Sequence, residues 1–262
     1  MPRRIVDISN ALTAGIASDP PHMLPAIEYV DHHQSAPLMA AEMGVPVSAL
    51  PEGEYAAVER VAISTHNGTH LDAPYHFFSR MNERLVPGGE PSWRIDEVPL
   101  DWCFQPGVKL DFSRLPDGYV CQPEDVAREL ARIGHELRPL EIVLVQTRAG
   151  ERYGQEDYIH SGCGMGRAAT LFLLERGVRV TGTDGWSWDA PFSHTARRVR
   201  ETGDASLIWE GHRAGREIGY CHMEKLANLL ALPASGFTVA CFPVKIHRAS
   251  AGWTRAVAIF EE

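Results

Sequence analysis

"QPEDVARELARIGHELRPLEIVLVQTR" (122–148) joins the clearest helix of the chain to its clearest buried strand. Pro123 and two acids, Glu124 and Asp125, open the helix. Val126, Leu130, Ile133 and Leu137 then fall on one face at helical spacing, which predicts a helix over 122–137. "EIVLVQTR" (141–148) is a short apolar run and predicts a buried strand. The same alternation continues downstream. "GRAATLFLLERG" (166–177) predicts a second helix closed by glycine, and "VRVTGTD" (178–184) a strand directly after it. "PGVKLDFS" (106–113) predicts the strand before the first helix. Strand–helix–strand units of this kind build parallel sheet.

Towards both ends the pattern changes. "RRIVDIS" (3–9), "YAAVERVAIST" (55–65), "FTVACFPVKI" (237–246) and "TRAVAIFEE" (254–262) read as strands, and "MEKLANLLAL" (223–232) as a short third helix. The expected fold is therefore α/β: one domain over 1–262, with a mixed, partly curled sheet and flanking helices. No linker divides it. Residues 10–53 carry proline, glycine and two adjacent histidines (His32, His33) without clear periodicity. A stretch that long predicts an irregular arm or an active-site lid.

Composition narrows the function. The formal net charge is −9, with no basic face to meet nucleic acid. No apolar run approaches the roughly 20 residues of a membrane span, and the N-terminus lacks one long enough for a signal peptide. The five cysteines (Cys103, Cys121, Cys163, Cys221, Cys241) are an odd number without a CxxC pair. That argues against both a disulfide framework and a cysteine zinc knuckle. The expectation is a cytoplasmic protein with a small-molecule partner.

"STHNGTHLDAPYHF" (64–77) is the chemical centre of the sequence. It places His66, His70, Asp72 and His76 within eleven positions. On an extended strand His66 and His70 would lie roughly 13 Å apart, too far to share one ion. Asn67-Gly68 between them is a tight-turn signal that folds the two imidazoles together. Pro74 and the Asn-Gly-Thr run argue against a helix here. Imidazole with carboxylate suits zinc, manganese or iron(II). Capping of turns is the competing reading, and three histidines with an aspartate outweigh it. Thr69 and the N–H groups of the Gly68 turn are candidates to bind an oxyanion.

"HNGTHLDAPYH" resembles the HxGTHxDxPxH signature of the metal-dependent cyclase-like hydrolases, which include kynurenine formamidases and isatin hydrolases. "LVQTRAG", "LLERGVRVTGTDGWSWD" and "FTVACFPVKIHRASAGWTRAVAIF" extend the similarity along most of the chain. The resemblance implies a swivelling β/β/α cyclase-like fold. It implies His66, His70 and Asp72 as metal ligands and His76 as acid/base. It also implies a later histidine and glutamate twelve residues apart, met here by His212 and Glu224. His222 ranks below His212 because it lacks that spacing. The implied cofactor is one or two divalent ions, zinc or manganese, and the implied assembly a homodimer or homotetramer.

The implied activity is hydrolysis of an amide or ester bond: an aryl formamide, a cyclic amide or a lactone. A cyclase or dehydratase acting on a ketone is the alternative. The tryptophan that kynurenine formamidases carry early is missing from "GIASDPP" (15–21). That argues against kynurenine as substrate and leaves Trp186, Trp188 and Phe77 as candidate substrate walls, with core packing expected for one of the two tryptophans. Asp184 and Asp189 are candidates to orient ligands. "GCGMG" (162–166) lacks the spacing of a phosphate loop, and no GxSxG elbow points to a serine nucleophile. "HTARRVRE" (194–201) reads as a solvated helix face.

Overall fold

Ile142–Gln146 is buried at every position, as a strand covered on both faces must be. Ile142 and Leu144 enter one hydrophobic core, and Val143 and Val145 enter the other. The computed structural model describes residues 2–261. Its main sheet has nine strands: β1 (Arg3–Asp7), β2 (His70–Asp72), β3 (Phe104–Asp111), β4 (Ile142–Gln146), β5 (Val180–Thr183), β6 (Cys221–Glu224), β7 (Phe237–Ala240), β8 (Ala251–Trp253) and β9 (Val257–Glu261). The spatial order is β1-β9-β7-β3-β4-β5-β6-β2-β8. β3 to β6 run parallel in the centre. Antiparallel strands extend the sheet on both sides.

The helices are α1 (His32–Met43), α2 (Pro74–Phe77), α3 (Pro123–Ile133), α4 (Arg167–Leu174), α5 (Phe192–Thr202) and α6 (Glu210–Glu217). α3, α4 and α6 bring Val126, Leu130, Leu171, Leu173 and Ala214 onto the Val143 face. The opposite face curls over a core of Leu71, Met223, Val239 and Phe260. The mixed, curled α/β sheet is the predicted architecture.

Several segments differ from the sequence reading. α3 stops at Ile133, because Gly134 adopts φ 64° and caps the carbonyls of Leu130 and Ala131. Residues 223–232 are not a helix. Cys221–Glu224 is strand β6, and the left-handed Lys225 (φ 58°) and Asn228 (φ 55°) break any helix that could follow. Leu229–Ala231 is only a 3-10 turn.

Residues 10–53 are not irregular throughout. Ala26–Val30 pairs with Val58–Ala62 as a two-stranded ribbon. Between them lies α1, whose first turn is capped by Asp31, which accepts from the His33 and Gln34 N–H groups at 3.0 and 2.8 Å. Apolar spacing in α1 is weak, which hid it in the sequence. This excursion buries only Ala36, Ala40 and Leu50 as a cluster of its own.

Candidate metal centre

Antiparallel pairing of β2 with β6 sets His222 opposite Asp72 and Glu224 opposite His70. Side chains alternate along a strand, so these four project from one face, while Leu71 and Met223 enter the core on the other. The turn before β2 adds His66. Asn67 closes it twice, its N–H donating to the Ser64 carbonyl at 3.0 Å and its Oδ1 accepting from the Ser64 N–H at 2.8 Å. Gly68 sits at φ 61°. A Cβ there would lie 3.3 Å from Leu12 Cδ1, so Gly68→Ala is expected to destabilise by about 1–2 kcal/mol, read from urea unfolding. Pro74 then starts one helical turn, α2, which carries His76.

His66 Nδ1 lies 2.9 Å from Asp72 Oδ1, and His70 Nε2 lies 3.4 Å from the same oxygen. His222 Nε2 lies 3.1 Å from Asp72 Oδ2 and 3.2 Å from Glu224 Oε1. His70 Nε2 is 3.7 Å from Glu224 Oε2. His212 joins Asp72, His222 and Glu224 with ligand atoms within 4.8 Å of one another, and His66, Asp72 and His76 form a second such group. His70 Nε2, His222 Nε2 and both Asp72 oxygens are buried, and none has a hydrogen-bond partner of acceptable geometry. Buried polar atoms are rarely left so. Four atoms of this kind converging from imidazoles and a carboxylate fit a divalent cation among them.

The outer nitrogens are fixed. His70 Nδ1 donates to the Gly68 carbonyl at 2.9 Å. His212 Nδ1 meets Asp189, which also accepts from the Gly211 N–H at 2.6 Å. Asp189 thus orients a histidine, as expected. Asp184 does not: it accepts from the Thr147 N–H and hydroxyl at 2.8 and 2.7 Å, away from the cluster. Thr69 is also redirected. Its hydroxyl donates to the Lys225 carbonyl at 2.5 Å and accepts from the Asn10 N–H at 2.9 Å, so it ties loops together instead of facing an oxyanion.

Charge is balanced inside the cluster. Burial alone would raise the Asp72 carboxyl, but His70, His76 and His66 hold it well below the usual range. Glu224 is likewise lowered against its burial, to about 2, chiefly by His222. Burial disfavours a charged His222, yet Asp72 and Glu224 push it up to about 9. His76 is the exception. Burial lowers it to about 4, outweighing the pull of Asp72, so it is neutral at neutral pH.

A cavity of about 200 Å³ opens beside His66, His76, His212 and Glu224. Trp186 lines it, as the sequence suggested, and so do Phe192, Trp209 and Met23, which the sequence reading missed. Trp209 stacks on His212, with centroids 4.6 Å apart and planes 6° from parallel. Its place three residues before His212 was the available signal. Trp188 and Phe77 do not line the cavity. Trp188 is 1% exposed and its indole N–H donates to Thr170 Oγ1, while Phe77 stacks behind His222 at 4.8 Å. They pack the layer that backs the histidines.

Asp184 gives a test independent of any metal. Burial pushes its carboxyl up to about 7, against the hydrogen bonds from Thr147. A pKa raised by folding contributes stability below the unfolded value, and that contribution is lost as pH rises through about 7. Asp184→Asn should therefore gain on wild type in melting temperature between pH 4 and pH 8. Parallel curves would contradict this.

Comparison with known proteins agrees with the geometry. The profile of the family described as "Putative cyclase" matches residues 6–190, and the chain belongs to that family. An isatin hydrolase bound to the product analogue thioisatinate has the same fold, with a TM-score of 0.75 at 20% identity, over 99% of this chain and 93% of that one. Isatin hydrolase A from Labrenzia aggregata, bound to benzyl benzoate, gives 0.73 at 24% over 99% and 94%. A structure described as a potential metal-dependent hydrolase with cyclase activity gives 0.65 at 17%, over the whole of both chains.

Proposed function

We propose that this protein is a metal-dependent hydrolase that opens an amide or ester bond of a small aromatic substrate: an aryl formamide, a cyclic amide or a lactone. The observation that carries this reading is the convergence of buried, unpartnered imidazole and carboxylate atoms beside a cavity with a neutral histidine in its wall. His66, His70, Asp72, His212 and Glu224 hold one or two divalent ions, zinc or manganese. When bound, the cation supplies Lewis acidity. His76 takes a proton from the attacking water and returns it to the leaving nitrogen or oxygen. Trp186, Phe192 and Trp209 offer flat apolar walls to an aromatic ring and exclude bulk water. The isatin hydrolase neighbours support a cyclic amide as the first substrate to try.

Zinc- or manganese-loaded protein is expected to hydrolyse isatin, N-formylkynurenine or a simple lactone. Chelation should abolish turnover, and added metal should restore it. Hydrolysis of none of them would favour a cyclase or dehydratase acting on a ketone. Turnover that survives complete metal removal would overturn both readings.

The 26–62 excursion supports a homodimer or homotetramer. Tyr29, Leu38, Met43, Val58 and Val61 are exposed on it. A two-stranded ribbon with one helix and a three-residue cluster is marginal alone, and a second copy would cover it. A cytoplasmic location is supported by five buried thiols without a disulfide among the described residues. Among those residues no helix is long and apolar enough to cross a membrane. The net charge of −9 favours small-molecule over nucleic-acid partners.

A further inference from the structure

Cavities that bind small molecules usually measure about 300–1,000 Å³. The space beside the histidines is only about 200 Å³. Two of its walls continue outwards. Phe192 and Trp209 also line a surface groove of about 670 Å³.

One wall of that groove is a helix face. Phe192, Thr195, Ala196 and Val199 stand at positions i, i+3, i+4 and i+7 of α5, the spacing by which a surface helix covers a core. This stripe is left uncovered: no residue of α5 is buried, and Phe192 is 47% exposed. The other wall is Ile208 and Trp209. Trp209 adopts φ 58° and ψ 46°, a region that bulky residues rarely enter. Such a conformation persists only where the surroundings hold it, and it marks functional sites more often than others. Here the Trp209 carbonyl accepts from the Arg213 N–H at 2.8 Å, and Arg213 Nη1 donates to the Ser206 carbonyl at 3.1 Å. The indole stacks on His212. The wall is therefore fixed before any ligand arrives. Of the charged groups at the groove, Asp189 is taken up by His212 and the Gly211 N–H, and Arg200 stands one turn beyond Ala196.

We propose that the groove is a second substrate subsite, and that it takes an apolar chain carried by the part of the substrate that fills the cavity. The chain leaves the cavity between Phe192 and Trp209 and lies along α5 over Ala196 and Val199. This rests on the reading of the cavity as the substrate site and adds the portion of the substrate beyond its aromatic ring. The competing occupant is a second copy of this chain. The substrate is favoured because the groove shares both aromatic walls with a cavity that is too small by itself.

Acetophenone and hexanophenone are suitable probes. Both are aryl ketones without a bond for a hydrolase to break, and they differ by four methylenes. Titration calorimetry compares them on full-length wild type, Ala196→Trp, which fills the groove, and Val199→Asp, which makes it polar. Wild type is expected to bind hexanophenone roughly tenfold or more tightly than acetophenone. Each variant should keep the acetophenone affinity and lose the gain. Circular dichroism checks that each folds, and either variant alone suffices. Wild type that binds neither ketone, or both equally, would overturn the subsite. A gain that survives both substitutions would place the chain elsewhere and do the same. A variant that changes the oligomeric state, read by sedimentation, would make the groove a contact between copies and refute the proposal. If no ester or amide is hydrolysed while the chain-dependent gain holds, the hydrolase reading falls and the subsite stands.

Discussion

His76→Ala is expected to lower turnover by roughly 100-fold or more while leaving the metal content unchanged. The histidine sits on the single turn α2, directly beyond strand β2, and lines the cavity. Its ring centroid lies 4.2 Å from that of His66 and 5.5 Å from that of His212, close to the cluster but on its open side. Burial lowers it to about 4, so the neutral, proton-accepting form prevails above that pH. Activity that depends on this base should fall on the acid side as pH drops towards 4, and alanine should remove that limb. Steady-state kinetics with elemental analysis of the same samples provides the check. A variant with near-normal turnover, or one that loses its metal, would assign His76 a different role.

Lys225→Met is expected to destabilise the protein by about 3–5 kcal/mol, the cost of leaving a buried charge unpaired. Lys225 pairs with Asp19, and both side chains are inaccessible to water. Its ammonium also donates to the His66 carbonyl at 2.7 Å. Asp19 in turn accepts from the Trp186 indole N–H at 2.9 Å and the Asn67 amide at 3.0 Å. One carboxylate thus ties the N-terminal segment to the histidine turn, to the cavity wall and to the residue after Glu224. Chemical denaturation of Lys225→Met, Asp19→Asn and the double variant tests this. The double variant should recover part of the loss, because no uncompensated charge remains. Additive losses would mean that the two residues act independently.

Much of the centre was legible because it is local. Asn67-Gly68 specifies a tight turn through its own chemistry, and Asp72 follows His70 by the two-residue step of a strand. Trp188 and Phe77 were legible only as aromatics. Which side of the sheet they fill depends on α4, α6 and Tyr220, and the structure sends both behind the histidines. His222 ranked below His212 on spacing alone, and spacing says nothing of facing. On strand β6 a residue two before Glu224 points the same way as Glu224.

By itself the sequence determined the alternation of helices and parallel strands in the middle of the chain, the histidine turn and the residue types of a metal centre. Each rests on periodicity or turn chemistry within a few residues. Tertiary structure alone decided that β6 pairs with β2, setting His222 against Asp72 and Glu224 against His70 across about 150 residues of chain. It also decided that Asp19 reaches Lys225. No local signal encodes such pairings, because strand register and a buried ion pair follow from how the whole sheet curls and packs.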